Sequence, residues 1–440
     1  MRPEYTVPVK MTTQMPSIIR YVREAYIEMF RLLSGVSLRS WILVFFGPLF
    51  ALLTTWIGRI PLPAALIAGL PIIVIVLCSV IGDVRRKPFG VWITKTAIGW
   101  AIVFVAASII AVPKQNLHDE LLLTQAAMEK ISNGEDPYGA DYRGTIVDLW
   151  TGHALHLSYV NGVYPGWDHY VYLPGFFVVS YPTYLIVHGI TGAYDQRIVY
   201  LMAYALLVFG SWWSLKRSPV REPLTLAFAL NPFFMNVTYG FNDLLPVALL
   251  ALTGFLLVRR KFIGTAIVYG LALSTKQTML LTLPFVLPAL LRACRSRVRS
   301  WTVVFAVLSA TVAAVMLPFF LWSPARFFDD TVRFFLSSTA YPIHGEGLSG
   351  LLIRTGAVTS TQYFPFWIFQ AIGTIPLYVY FMRRARRTTS YHAPFFAAAV
   401  TIGVFWFLSR YFLTSHAHVI ILLIILSFVI SEAQRSHDAQ

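Results

Sequence analysis

Polar and apolar positions in this chain fall into blocks rather than alternating. Continuous apolar runs recur near 41–58, 61–82, 91–112, 198–214, 223–239, 243–258, 262–278, 279–292, 300–322, 364–382, 393–411 and 416–431. Wound as helix, a run of about 17–22 residues covers roughly 30 Å of hydrocarbon. The pattern predicts an all-α, polytopic integral membrane protein of about 12–13 transmembrane helices. A β-barrel is excluded, because barrel strands alternate residue by residue. One more apolar stretch, 172–189, is interrupted by Pro174 and Pro182. If it crossed the membrane, every later loop would change sides. A re-entrant or interfacial pair of short helices preserves the order and is the reading adopted.

The loops between the runs supply an orientation. Arg85-Arg86-Lys87, Lys216-Arg217, Arg259-Arg260-Lys261, Arg292 with Arg295, Arg297 and Arg299, and Arg383-Arg384 with Arg386-Arg387 all fall on one side of this alternation. The N-terminal Arg2, Lys10, Arg20, Arg23, Arg31 and Arg39 join them. Basic residues concentrate in cytoplasmic loops, so both termini are expected in the cytoplasm. The expected organisation is a cytoplasmic segment 1–40, a single transmembrane domain 41–431 and a cytoplasmic tail 432–440. Within 1–40, Ile18, Val22, Tyr26, Met29 and Leu33 share one face of an interfacial helix. Segments 113–171 and 323–363 then face outward.

Composition agrees: 57% of residues are hydrophobic, only 12% are charged, and the net charge is +15. That excess sits in short loops beside membrane spans, so nucleic acid is not an expected partner. The two cysteines, Cys78 and Cys294, point to neither a disulfide nor a metal.

The acids are distributed differently. Of the chain's 20, the outer segment holds Asp119, Glu120, Glu129, Glu135, Asp136, Asp141, Asp148 and Asp168. Asp119 and Glu120 open an amphipathic helix with Leu117, Leu121, Met128 and Ile131 at helical spacing and Gly134 as its stop. Such a helix is expected to lie flat on the membrane, with Asn116 as N-cap. First-turn acids complement the helix dipole. A carboxylate at that boundary also suits a general base for a substrate hydroxyl.

Other polar residues gather at the same face. Asn242 and Asp243 follow Gly240-Phe241 beside an apolar run, where an acid is costly unless partnered. Lys276 is a snorkelling lysine or a point charge for a lipid-linked phosphate. Arg410, beside Tyr411, suits multidentate phosphate contact. The second outer segment adds His344. His118, His344, His416 and His418 show no tight ligand spacing, so no metal or other cofactor is expected.

This order of motifs resembles the GT-C class of polytopic glycosyltransferases, from about residue 95 to the last span. An Asp opens an outer helix ahead of Gly134-Glu135-Asp136-Pro137-Tyr138. Then come Tyr172-Leu173-Pro174, Asn231-Pro232, Gly240-Phe241-Asn242-Asp243, and a helix leading to Lys276. The chain is most similar to bacterial polyprenol-phosphate-sugar-dependent mannosyltransferases. The resemblance implies a plasma-membrane enzyme moving mannose or another hexose from a polyprenyl-phosphate donor to a lipid or glycan acceptor. It assigns the catalytic base to Asp119, with Glu120 as rival. It places His118, Asp136, Tyr138, Tyr172, Asn242, Asp243, Lys276, His344, Arg410 and Tyr411 at the substrate. Tyr172-Leu173-Pro174 departs from the class's Tyr-Pro-Pro, and Phe241 replaces a polar residue. Competing readings are a transporter or lipid flippase, and an outer-face polysaccharide polymerase or ligase.

Overall fold

The computed structural model describes residues 35–438 except 58–61, 86–89, 113, 115–116, 152–163, 232–234, 295–297, 337–341 and 386–389. The expected N-terminal interfacial helix and Asn116 lie outside the described residues. The protein is an all-α, polytopic membrane protein. Among the described residues, Gly90–Ala111, Arg197–Ser214, Trp301–Trp322 and Thr414–Asp438 are each long and apolar enough to cross a membrane.

Three helices come first: α1 (Leu38–Ile57), α2 (Leu62–Val84) and α3 (Gly90–Ala111). After α3, the chain forms α4 (Asp119–Ser132) and α5 (Gly175–Thr191). The bundle continues with α6 (Arg197–Ser214), α7 (Arg221–Ala229), α8 (Met235–Tyr239), α9 (Leu244–Val258) and α10 (Phe262–Leu273). A 3-10 turn, Gln277–Thr282, leads into α11 (Leu283–Ala293). Then follow α12 (Val298–Trp322), α13 (Phe366–Ala385), α14 (His392–Phe407) and α15 (Thr414–Asp438). Large side chains such as Ile110, Leu321 and Ile372 stand exposed on the outside of the bundle. Only lipid would take them out of water.

Contacts identify the two ends. At one, Arg39 of α1 pairs with Asp83 of α2 and with Glu222 of α7, the latter at 3.1 Å. Ser218 Oγ reaches Glu432 of α15 at 3.5 Å, and Tyr391 N–H donates to Gln434 at 2.8 Å. This is the basic end. At the opposite, loop end, Arg197 donates from Nη1 to the Thr238 carbonyl at 3.0 Å and to the Val112 carbonyl at 3.5 Å.

These contacts settle how 172–189 runs. Gly175 N–H donates to the Ser274 carbonyl at 2.7 Å, while Arg197, just beyond α5, meets Val112 and Thr238. The start of α5 therefore lies at the loop end. The chain then doubles back along the helix, Tyr194 against Tyr184 and Gln196 against Ser180, to return to that end at Arg197, so the segment does not carry the chain to the basic end. The expected pair of short helices is instead one continuous helix with Pro182 inside it.

The expectation for α4 also needs correction. It does not lie flat with one face on lipid: Leu121 through Met128 are all buried. Its second face carries Thr124, Gln125, Ala126 and Ala127, which are small or neutral enough to be covered by protein. Gln125 Oε1 accepts the Gln196 N–H at 3.1 Å, Gln196 Nε2 donates to Ser180 Oγ at 2.7 Å, and Ser132 Oγ lies 3.2 Å from the Tyr181 hydroxyl. Thus α5 folds back over α4. His118, not Asn116, occupies the N-cap. Gly134, at φ +75°, ends the helix as expected.

Two predicted spans are broken. In the run 223–239, α7 ends at Ala229 with Leu230 and Asn231 outside the helix, and α8 begins at Met235. The run 262–278 stops at Leu273. There Ser274 Oγ donates back to the Gly270 carbonyl at 2.8 Å and Thr275 Oγ1 to Ala272 at 2.6 Å. Such back-bonding competes with helix continuation. Lys276 emerges in extended conformation (φ −142°, ψ 138°). A Cβ on Gly175 would lie 2.4 Å from the Ser274 oxygen, so only glycine lets α5 start against this break.

The basic-end arrangement predicts opposite labelling of single cysteines in a Cys78→Ala, Cys294→Ala background. Asp141→Cys should react with a membrane-impermeant thiol reagent on intact cells, and Arg384→Cys only after permeabilisation. The reverse pattern would turn the orientation upside down.

Candidate active site

The head of α4 is bolted to the turn before α9. His118 N–H donates to the Tyr239 carbonyl at 2.8 Å, and the Phe241 ring packs on His118 at 4.2 Å. Asn242 N–H donates to Glu120 Oε2 at 3.0 Å. Gly240, at φ +87°, permits this approach, since a Cβ there would lie 2.3 Å from Leu121 Cδ1.

Lys276 meets the same turn from the break after α10. Its Nζ donates to Asp243 Oδ1 at 2.5 Å and to Asn242 Oδ1 at 3.0 Å, and lies 3.9 Å from Glu120 Oε1. Sequence reasoning treated Lys276 as a snorkelling anchor or a phosphate contact. Its ammonium is instead the centre of a buried knot that neutralises two carboxylates.

Asp119 is held separately. His118 Nδ1 lies 2.7 Å from Asp119 Oδ1 and 3.4 Å from the Glu120 N–H. One nitrogen cannot donate to the first and accept from the second. The Glu120 N–H has the nearer acceptor in Asp119 Oδ1, at 2.8 Å. Nδ1 therefore carries a proton and donates it to Asp119. The Tyr164 hydroxyl donates to Asp119 Oδ2 at 2.6 Å. Tyr164 was missed in the sequence. It is 45 positions from Asp119, and nothing local marks it.

These partners drive the two neighbouring carboxyls apart. Burial alone would raise Asp119, but the His118 charge and hydrogen bond, Tyr164 and the Glu120 N–H hold it below its ordinary range. Burial dominates at Glu120. Lys276 and His118 offset it only in part, while Asp243 and Asp119 add to it, so Glu120 stands above its ordinary range. Burial would lower His118, but Asp119 outweighs it and raises the imidazole.

All three line a cavity of about 440 Å³ at the loop end. Tyr172, Lys276, His344, Arg410 and Tyr411, which the sequence reading places at the substrate, line it too. So does His416, whereas His418 does not. Asn242 and Asp243 stand one layer behind, reaching it through Lys276. A two-residue parallel bridge, β1 (His344–Gly345) with β2 (Tyr411–Phe412), joins the second outer segment to the turn after α14 and stacks His344 on Tyr411. The remaining wall is largely aromatic, with Phe334, Phe335, Phe364, Phe366, Trp367 and Phe405. Sequence reasoning assigned none of these.

Asp136 and Tyr138 depart from expectation, for neither lines the cavity. Asp136 Oδ1 accepts the Tyr138 N–H at 3.0 Å, and its other oxygen takes the Ser323 hydroxyl. Tyr138 is fully buried and donates to the Tyr172 carbonyl at 2.9 Å. They shape the turn after α4. Nearby, buried Asp330 accepts N–H groups of Gly139 and Tyr170 at 2.8 and 3.2 Å and lies 2.6 Å from His169 Nδ1.

A model of glycosyltransferase family 87 matches residues 170–432, more than half of the chain. The chain belongs to glycosyltransferase family 87. Membership makes this membrane protein a glycosyltransferase rather than a transporter or flippase. No curated protein and no solved structure matches the chain. The family 87 match contains Asn242, Asp243, Lys276, His344, Arg410, Tyr411 and the aromatic wall. The head of α4, with His118, Asp119 and Glu120, precedes it.

Removing one member of a buried ion pair strands the other, at a cost of about 3–5 kcal/mol. Lys276→Gln should therefore lower the unfolding temperature in detergent by several degrees. Adding Asp243→Asn should recover much of the loss. A Lys276→Gln protein as stable as the native one would remove Lys276 from its structural role.

Proposed function

We propose that this glycosyltransferase takes a hexose, mannose by resemblance, from a polyprenyl-phosphate carrier. It passes the sugar to a hydroxyl of a lipid or glycan acceptor on the non-cytoplasmic face, with inversion. The observation that carries this reading is the mixed lining of one cavity. It combines His118, Asp119, Glu120, Lys276 and Arg410 with a largely aromatic wall. Phe335, Tyr363 and Trp367 of that wall are themselves exposed, which supports entry of a prenyl chain from the lipid phase.

The chemistry fits these groups. Phosphate is a good leaving group, so its departure needs cations more than a strong acid. Arg410 is the proposed phosphate contact, with His344 beside it across the β1–β2 bridge. Lys276 already serves Asp243, and contributes its field more than a direct bond. The acceptor hydroxyl must lose a proton as it attacks the anomeric carbon, and the His118–Asp119–Glu120 turn receives it. Bacterial plasma membrane is the proposed location, with 113–171 and 323–363 outside.

Purified protein in vesicles should transfer labelled hexose from a polyprenyl-phosphate sugar and not from a nucleotide sugar. Asp119→Asn should lower turnover by about 10²–10⁴-fold while leaving donor binding intact. Arg410→Gln should instead weaken donor binding. Transfer from a nucleotide sugar alone would overturn the reading, as would native-like turnover in Asp119→Asn.

A further inference from the structure

We propose that the neutral imidazole of His118, rather than a carboxylate, takes the acceptor's proton, and that Asp119 acts by holding that ring in place. This rests on the sugar-transfer reading above and names the accepting atom within it.

The geometry argues from what is already occupied. Asp119 Oδ1 takes both His118 Nδ1–H and the Glu120 N–H, at 2.7 and 2.8 Å. Oδ2 takes the Tyr164 hydroxyl at 2.6 Å, and the side chain is only 8% exposed. A carboxylate with three donors has little basicity left and little room for a fourth. Glu120 is committed to the Asn242 N–H and faces Lys276. His118 is different. Its ring lines the cavity, and Nε2 makes no hydrogen bond among the described residues. Phe241 at 4.2 Å and Trp150 at 5.2 Å fix the plane of the ring. A carboxylate on Nδ1–H also selects the tautomer whose Nε2 lone pair is free to accept.

The step balances without a further reagent. The acceptor O–H bond breaks and its proton passes to Nε2. The oxygen's electron pair forms the new bond to the anomeric carbon. The bond from that carbon to the phosphate oxygen breaks, and its electrons leave with polyprenyl phosphate. Asp119 then faces an imidazolium, which returns its proton to water.

The titratable groups that act on the ring are Asp119 and Glu120 on α4, Lys276 after α10, Asp243 at the head of α9, and His416 on α15. Burial lowers His118, but Asp119 wins, so the ring titrates above its ordinary value of 6.5. A base must be neutral to act, so kcat/KM should fall as pH drops through that region. A direct Asp119 base would place the fall below 3.8.

The decisive variant is His118→Asn. Asn suits the N-cap position and offers an amide donor to Asp119 but has no counterpart of Nε2. It should lose about 10²–10⁴-fold in kcat, bind polyprenyl-phosphate hexose as the native enzyme does, and show no acid limb near or above pH 6.5. Glu120→Gln should retain that limb. The proposal is overturned if His118→Asn turns over within a few-fold of native, if the native limb lies below pH 4, or if Glu120→Gln abolishes the limb. Native protein that transfers no sugar from a polyprenyl phosphate would defeat the functional reading and this proposal together. Native transfer with a fast His118→Asn variant would defeat this proposal alone.

Discussion

The arrangement depends on one buried ammonium. Isolated in a membrane bundle, Lys276 would be prohibitively costly, because ion desolvation exceeds any single Coulombic gain unless the geometry is good. Asp243 and Asn242 supply that geometry at 2.5 and 3.0 Å. In doing so they pull the start of α9 against the break after α10. Glu120 then completes the surroundings by accepting the Asn242 N–H and standing 3.9 Å from the ammonium. Three segments far apart in sequence are thereby tied at a point, and the cavity opens on its exposed side. The Ser274–Lys276 break is thus a condition of the site, since a continuous α10 would carry Lys276 onto a helix face.

A second polar network braces the opposite end. Asp83 Oδ2 accepts from Ser37 and Ser40 hydroxyls, both at 2.6 Å, and Asp83 pairs with Arg39 through its other oxygen. Glu222 takes Arg39 Nη1 and Thr94 Oγ1, both at 3.1 Å. These bonds join α1 and α2, which precede the resemblance and the family match, to α3 and α7. Phe50 of α1 also packs on Trp100 and Phe104 of α3. Since α3 leads directly to His118 and α7 to Tyr239, the two extra helices steady the elements that present the head of α4.

The sequence was legible where one local property decides the outcome. Apolar runs located most of the helices, because run length alone matches membrane thickness. Breaks were harder. Ser274 and Thr275 end α10 by bonding their own helix, and nothing in hydropathy registers that. The burial of α4 was illegible for another reason: its cover, α5, returns from far along the chain. The same limit applies to the site. Asp119, Glu120, Lys276 and Arg410 could be singled out because a charge beside an apolar run needs a partner. Tyr164 and the aromatic wall could not, since tyrosine and phenylalanine are ordinary in such a chain. Asp136 and Tyr138 were drawn into the site by their motif, whose residues instead hold the turn and donate to Tyr172.

Depth explains why these charges and short helices occur together. The helices that start or end at Asp243, Lys276 and the following 3-10 turn, α9, α10 and α11, have 15, 12 and 11 residues. At 1.5 Å per residue, α10 rises only about 18 Å, short of the hydrocarbon thickness. Such short passes are tolerable because their ends open into a cavity, where irregular backbone and charge meet protein or water instead of lipid. The consequence is chemical. A hydrophobic carrier would stay in the lipid while its phosphate reached a polar pocket below the membrane surface. There, low dielectric strengthens every fixed charge. The family-matched part, 170–432, supplies Lys276, His344, Arg410 and most of the aromatic wall, and the head of α4, outside it, supplies His118, Asp119 and Glu120. Neither alone lines the whole cavity, so the docking of α4 under α5 is what completes it.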